Sequence, residues 1–285
     1  MADSLIDLLS DSTDPDAAAW LQETISGLRE DFQKRPFYYA FSGVSRHFDK
    51  SARVSAEAES GFEGWDAYRV ARVALLDVLA EQDRETFLDT FLAILNTADI
   101  REQVALFSAL PRLPHQEDLV ESATDGLRSN IIDIFDSIAL QNSFPRQHFT
   151  DEAWNQMVLK AIFISRPLYR IDGIADRRNA PLAEAISDLA HERWAAGRLI
   201  TPEAWRSCIG FLDDRIADDI RKIAESENSE ERDAAALVIS EEPSDTLSDL
   251  EDSLSAELSR VESGELTWQS LGREMEEKLT RKSLT

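Results

Sequence analysis

The chain has 285 residues, of which 43% are hydrophobic, with ten Gly, nine Pro and a formal net charge of −25. This length and hydrophobicity allow a sizeable core, and the small number of Gly and Pro residues favours helices over a turn-rich fold of short strands. Because acidic residues outnumber basic ones 55 to 30, the chain would repel DNA, RNA and anionic membrane surfaces, so no nucleic-acid partner is expected.

The sequence contains no recognisable targeting or membrane segment. The N-terminal stretch MADSLIDLLSDSTDPDAAAW lacks the basic region and the long apolar core of a secretory signal. No run approaches the roughly 20 apolar residues that a membrane helix needs. We therefore expect a cytoplasmic protein with no direct membrane span. Cys208 is the single cysteine, which excludes an intramolecular disulfide and a Cys-x-x-Cys metal pair.

Helical periodicity begins near the N-terminus. Residues 3–33 predict one or two helices, with Pro15 at a helix start and apolar residues recurring at helical spacing after it. The stretch RPFYYAFSGVSRHF, residues 35–48, is the most aromatic of the chain. Its rings either fill the core, which is the more common arrangement, or line a pocket. Residues 49–64 predict a loop.

The middle of the chain also predicts helices. The patterns over residues 65–80 and 84–96 predict two helices that pack antiparallel because they are close in sequence. A further helix is expected to start near Asp99 and to stop before Pro111. Residues 119–140 predict one long helix.

The second half continues the helical pattern. Thr150 is predicted to cap a helix that ends before Arg166 and Pro167. The next helix is expected to begin near Pro181 and to end at Gly197, which suits a C-terminal cap. Thr201 and Pro202 start another helical turn. Further helical segments are predicted over residues 213–226, 230–240, 244–263 and 267–281.

These patterns predict an all-α fold of antiparallel helix pairs, with a HEAT-like α-α superhelix as one way of stacking them. No segment alternates apolar and polar residues over strand length, and no glycine motif joins a strand to a helix, so dinucleotide-binding and P-loop folds are excluded. No cofactor is predicted. A single unit, SEERDAAALVIS, resembles a HEAT repeat, whereas a solenoid needs several.

Two aspartates form the first candidate site. Asp133 and Asp136 lie three residues apart on one predicted helix, so both carboxylates point to the same side. Such a pair either holds a divalent metal or belongs to a solvated helix face, which is the commoner case. Both are retained as catalytic candidates, without a committed metal site.

A concentration of cationic and polar side chains forms the second candidate site. The segment SRPLYRIDGIADRRN contains four arginines and only two aspartates. An arginine cluster either clamps a phosphate or carboxylate with paired hydrogen bonds or neutralises the chain's own acidic residues. We favour internal neutralisation for the cluster as a whole and retain an anion site as the alternative. The predicted ligand-binding residues are Asn155, Lys160, Arg166, Tyr169, Arg170 and Arg193.

His191 is the third candidate. It lies at helical spacing between Ser187 and Trp194. A histidine in this setting is more often a satisfied structural residue than a general base or metal ligand. We retain it as a catalytic candidate alongside the two aspartates.

Five stretches carry a resemblance to a known family. They are FYYAFSGVSRHF, NTADIREQVALFSALPRLP, GLRSNIIDIFDSIALQNSFP, WNQMVLKAIFISRPLYRIDG and AISDLAHERWAAGR. Together they resemble the EboA family over residues 35–206, and WNQMVLKAIF and AHERWAAGR are the most specific of them. The acidic residues beyond 211 resemble the family only loosely. The chain is accordingly divided into an N-terminal helical segment (1–34), an EboA-like core (35–210) and an acidic helical extension (211–285).

The resemblance implies a pathway and not a reaction. EboA proteins belong to a small operon, the ebo operon, associated with making or exporting a secondary-metabolite precursor, beside a prenyltransferase-like membrane protein. The arginine and lysine cluster, in an acidic chain without a catalytic signature, predicts a soluble binding or assembly protein in this pathway. Its expected ligand is an anionic metabolite, isoprenoid-linked metabolites included, or a partner protein of the pathway. The alternative is a metal- or histidine-dependent enzyme acting on such a metabolite.

Overall fold

A computed structural model describes residues 2–54, 62, 64–243 and 246–283. Half of the residues of the loop predicted over 49–64 lie outside the described residues, as do residues 244 and 245 of the segment predicted over 244–263. The chain divides into two compact units, an N-terminal unit (Met1–His148) and a C-terminal unit (Phe149–Thr285).

The N-terminal unit consists of helices and short 3₁₀ turns. Its helices are α1 (Ala2–Ser10), α2 (Pro15–Glu30), α3 (Lys34–His47), α4 (Ala67–Leu79), α5 (Arg84–Leu95), α6 (Ile100–Ala109), α7 (Val120–Leu127), α8 (Ile132–Ala139) and α9 (Phe144–His148). Aspartates cap several of them: the Asp14, Asp83 and Asp99 side chains accept hydrogen bonds from first-turn N–H groups. Each cap satisfies a backbone donor that the helix itself leaves without a partner.

Helix α4 is the centre of the N-terminal unit. Nearly all of its side chains are buried, including the guanidinium group of Arg72, and it packs mainly against α1 and α6. A helix buried on all sides needs partners from distant parts of the chain. Its neighbour in sequence, α5, is therefore not its main packing partner, contrary to the pairing predicted for residues 65–80 and 84–96.

The long helix predicted over residues 119–140 is wrong, because the chain forms two helices there. Ser129 Oγ accepts a hydrogen bond from the backbone N–H of Ile131 (3.1 Å), which offers the backbone an alternative to the helical ladder. After this turn α8 packs against α7. A Cβ atom added to Gly126 would lie 2.7 Å from side-chain atoms of Ile138 and Phe107, so only glycine allows this close approach.

The C-terminal unit is also helical. Its helices are α10 (Asp151–Phe163), α11 (Ala180–Ala195), α12 (Asp214–Ala224), α13 (Ser229–Glu241), α14 (Ser255–Glu262) and α15 (Trp268–Ser283), with 3₁₀ segments Leu168–Arg170 and Pro202–Cys208. Thr150 Oγ1 caps α10 by accepting from Ala153 N (3.2 Å), and Gly197 has a positive φ of 67° after α11, as its predicted cap position requires.

The acidic extension packs onto the rest of its unit. Helix α13 contacts α12, α14 and the 3₁₀ segment Pro202–Cys208, while α15 contacts Leu168–Arg170 and the same Pro202–Cys208 segment. Apolar side chains of the extension are buried, including Ile220, Leu237 and Leu271.

The all-α prediction is confirmed for the described residues. They form no strand, and their β pairing is an isolated bridge between Arg53 and Asp66. None of the described helices combines the length and the apolar character needed to cross a bilayer. The HEAT-like stacking and the division at residues 34 and 210 stay predictions.

Candidate functional site

A pocket of about 370 Å³ lies within the C-terminal unit. It is bordered by the ends of α10 and α11, by residues 199–203, by the start of α13 and by α15. Its volume is in the range of small-molecule sites in proteins. The pocket is therefore formed partly by the ends of α10 and α11, the two helices that flank the arginine-rich connection, and by the segments that follow them. The acidic C-terminal extension forms the rest.

Arg193 and Arg166 are the arginines that line this pocket. Arg193 Nε donates to the backbone oxygen of Leu199 (2.7 Å), and within the described part of the chain no acidic side chain pairs with its guanidinium group. Both arginines lie at or just beyond the C-terminal ends of helices, where the helix dipole favours positive charge. Arg193 therefore presents two terminal amino groups that are not used by an internal carboxylate.

Lys278 is the third cation of the pocket, and its charge is shared with carboxylates. Its ammonium group pairs with Glu230 and with Glu274 (2.7 Å). These hydrogen bonds raise the pKa of Lys278. Burial opposes the ionisation of Glu230, but the hydrogen bond and charge of Lys278, with a backbone hydrogen bond of Glu230 itself, outweigh it and lower the pKa of Glu230. This part of the pocket is neutralised by the protein itself.

Tyr169, in the 3₁₀ segment Leu168–Arg170, is hydrogen-bonded to a residue of the pocket wall. Its hydroxyl donates to Glu276 Oε2 (2.6 Å) and accepts from Arg170 Nε (3.0 Å), and Arg170 also pairs with Glu276 (3.0 Å). Burial and the bond to Glu276 raise the pKa of Tyr169. Glu276 belongs to α15 and lines the pocket, so Tyr169 and Arg170 hold this helix in place.

Glu203 is a buried carboxylate at the base of the same wall. Its side chain is accessible over 4% of its surface and accepts hydrogen bonds from the backbone N–H groups of Leu168 (3.2 Å) and Tyr169 (2.6 Å). Burial raises the pKa of Glu203 to about 7; the two backbone donors and Arg206 oppose this increase, and Glu276 adds to it.

This pKa predicts a pH-dependent stability. Because the folded-state pKa of Glu203 lies above its unfolded value of 4.5, its contribution is complete below pH 4.5 and is lost as the pH rises through 7. The wild-type free energy of unfolding should therefore fall by about 3 kcal/mol relative to Glu203→Gln across this range. Urea titrations of both proteins at several pH values measure the difference. Parallel profiles for the two proteins would contradict the assignment.

Apolar side chains complete the pocket and are incompletely covered. Leu199 and Leu279 are 51% and 48% exposed, and Met275 is half-buried. Met275 and Leu279 are four residues apart on α15 and so share one face of the helix. The pocket therefore combines arginine side chains with an apolar surface that water contacts.

Four of the six predicted ligand-binding residues do not line the pocket: Tyr169 and Arg170, described above, and Asn155 and Lys160. Asn155 and Asn179 exchange two side-chain hydrogen bonds of 2.9 Å, and Asn179 also caps α11 by accepting from Leu182 N (3.0 Å). Asn155 thus joins α10 to the start of α11. Lys160 is half-buried, and burial lowers its pKa.

Three of the clustered arginines neutralise acidic residues of the same unit. The pairs are Arg170 with Glu276 (3.0 Å), Arg177 with Asp151 (2.6 Å) and Arg178 with Glu241 (2.9 Å). Internal pairing, the first of the two alternatives for the cluster, therefore describes these three. Arg166 and Arg193 are the members of the predicted set that line the pocket directly.

His191 belongs to a hydrogen-bond network between α11 and α12. Its Nε2 atom lies 2.7 Å from Asp219 Oδ1, and Ser187 Oγ donates to Asp219 Oδ2 (2.5 Å). Asp219 is buried, whereas the His191 side chain is 51% exposed. The network joins the family-like part of the unit to the acidic extension.

Asp133 and Asp136 differ in their surroundings within the N-terminal unit. Asp133 is exposed in the first turn of α8, and Asp136 is half-buried. Burial lowers the pKa of Arg69, while the charges of Asp66 and Asp136 oppose this, so Asp136 acts electrostatically on a guanidinium group. Among the described residues no three His, Cys, Asp or Glu side chains cluster as metal ligands do. The geometry adds no support to the metal alternative.

Sequence reasoning missed the contribution of the acidic extension. Glu230, Met275, Lys278 and Leu279 line the pocket, yet they lie in a region treated as an appendage. Their only local signal is the spacing of Met275 and Leu279, which many amphipathic helices share. Glu203 carried no signal either, because its burial depends on the packing of α15.

The fold and the pocket define an all-α protein with a small-molecule-sized cavity lined by both charged and apolar side chains, two arginines among them. A family model described as "Metabolite traffic protein EboA" matches residues 1–209. The chain therefore belongs to the EboA family, and the match begins at the N-terminus rather than at residue 35. No curated protein and no solved structure matches the chain.

Proposed function

We propose that this protein is a non-enzymatic binding or assembly component of its pathway that holds a small anionic metabolite in the pocket of the C-terminal unit. The observation that carries the proposal is Arg193, which lines the pocket and has no acidic partner among the described residues. Paired guanidinium hydrogen bonds suit phosphate and carboxylate groups. Membership of a metabolite traffic family supports a metabolite as the ligand.

The roles of the predicted residues differ in this proposal. Arg166 and Arg193 contact the anion, since both line the pocket. Tyr169 and Arg170 position α15 through Glu276 and do not bind the ligand themselves. Asn155 and Lys160 act outside the pocket.

Binding is tested by thermal unfolding in the presence of four probes: inorganic phosphate, pyrophosphate, isopentenyl diphosphate and geranyl diphosphate. The prenyl diphosphates are included because they join an anionic group to an apolar chain. A ligand at a hundred times its Kd stabilises the folded state by about 2.7 kcal/mol, which raises the unfolding midpoint measurably. At least one probe should give such a shift with the wild-type protein.

Arg193→Ala should lower the affinity for that probe by about tenfold or more, because it removes charge-assisted hydrogen bonds. Arg198→Ala is the matched control: Arg198 is exposed, five residues away, and does not line the pocket. Equal losses in both variants would assign the effect to net charge. Absence of any shift, together with binding to a partner protein of the pathway, would leave assembly alone as the function.

The alternative is an enzyme in which His191 transfers a proton. A half-exposed imidazole backed by the buried carboxylate of Asp219 has the arrangement of a general base. Mass spectrometry of the probes after incubation with the protein separates the two functions. A binding protein returns each probe unchanged, whereas a probe that is converted by the wild type and not by His191→Ala would establish the enzyme.

A further inference from the structure

Helix α15 forms most of the pocket wall that lies outside the family match. The family match ends at residue 209, whereas Met275, Glu276, Lys278 and Leu279 of α15 line the pocket. Arg166 and the end of α11, which also line the pocket, lie within the matched region. The pocket therefore combines a family wall with a wall particular to the part of the chain beyond the match.

Helix α15 is held closely against the family wall. A Cβ atom on Gly272 would lie 2.4 Å from Tyr169 Cδ1 and 2.7 Å from Glu203 Oε1, so the helix backbone touches both residues. Trp268 Nε1 donates to Glu241 Oε1 (2.7 Å), which fixes the start of the helix. A wall held in this way is positioned before any ligand arrives, which lowers the entropic cost of binding.

What α15 offers a ligand is mainly apolar. Lys278 forms ion pairs with Glu230 and Glu274. Glu276 forms an ion pair with Arg170 and accepts a hydrogen bond from Tyr169. Among the pocket-lining side chains of the helix, Met275 and Leu279 have no polar group to satisfy, and both are incompletely buried. Apolar surface of this kind gains free energy when a ligand removes it from water.

We propose that α15 sets the ligand specificity of the pocket: Met275 and Leu279 receive the apolar part of an anionic amphiphile whose charged group is held by Arg166 and Arg193. This inference rests on the proposed anion-binding function. It adds the substrate class, an anion bearing an alkyl or similar apolar group, and it assigns the choice of that group to residues outside the family match.

The test measures affinities for inorganic phosphate, butyl phosphate and hexyl phosphate by calorimetry or thermal shift. For the wild type, affinity should rise by roughly fourfold for each methylene group that becomes buried. Met275→Ala, Leu279→Ala and their combination should reduce this increase with chain length and leave the affinity for inorganic phosphate unchanged. Leu279 is about half exposed, so its replacement is expected to leave folding intact.

Arg273→Ala is the control on the same helix, because Arg273 is exposed and does not line the pocket. An equal increase with chain length in the wild type and the double variant would overturn the inference while leaving anion binding in place. A proportional loss for all three probes in the α15 variants would also overturn it, since α15 would then only maintain the pocket. If the wild type binds none of the three phosphates, the proposed anion-binding function is contradicted, and the inference about α15 is contradicted with it.

Discussion

Replacing Asp219 by alanine should lower the free energy of unfolding by about 3 kcal/mol, because a buried carboxylate that serves two partners disappears. Its loss leaves the Ser187 hydroxyl buried without an acceptor and releases His191 from α12. Urea denaturation followed by circular dichroism measures the change.

Asp218→Ala is the matched control for this substitution. Asp218 is the preceding residue on the same helix, but its side chain is 77% exposed and pairs with Arg221 three residues further along. Exposed ion pairs of this kind contribute 1 kcal/mol or less. Similar effects of the two substitutions would show that burial of Asp219 is not what stabilises the contact between α11 and α12.

Gly272→Ala should destabilise the protein by about 1–3 kcal/mol, because the added methyl group requires either α15 or its neighbours to move. The nearest atoms are 2.4 Å away in Tyr169 and 2.7 Å away in Glu203. Since α15 is a wall of the pocket, this substitution should also lower the affinity for whichever anionic probe the wild type binds. Thermal unfolding with and without that probe measures both effects.

The control for Gly272→Ala is Gly27→Ala. Gly27 lies in the interior of α2, and a Cβ atom there would meet nothing within 4 Å. Alanine at such a helical position is expected to stabilise the protein by roughly 0.5–1 kcal/mol. Opposite signs for the two substitutions are the expected result. Stabilisation by both would mean that α15 does not contact Tyr169 as closely as the geometry requires.

Local signals predicted α10 and α11 well because their boundaries are chemical. Thr150 supplies a side-chain acceptor at the start of α10, and Gly197 accepts a positive φ after α11. The same reasoning failed over residues 119–140, where apolar spacing continues through a turn. The turn is stabilised by Ser129, and the approach of α7 and α8 depends on contacts of Gly126 with Ile138 and Phe107.

The candidate site was predictable in part for a similar reason. The excess of arginine between α10 and α11 is visible as composition, and Arg166 and Arg193 do line the pocket. Which guanidinium groups are neutralised is not visible, because their acidic partners are distant in sequence. Glu276 lies 106 residues after Arg170, and Glu241 lies 63 residues after Arg178.

The sequence by itself determined the helical class, the caps, the negative charge and membership of the EboA family, since these depend on residue type and on spacing within a few turns. Only the tertiary structure decided that α15 closes the pocket, that Glu203 is buried beneath it and that Arg193 faces the cavity without an acidic partner in the described residues. Burial and charge pairing arise between segments far apart in the chain, and no local pattern contains that information.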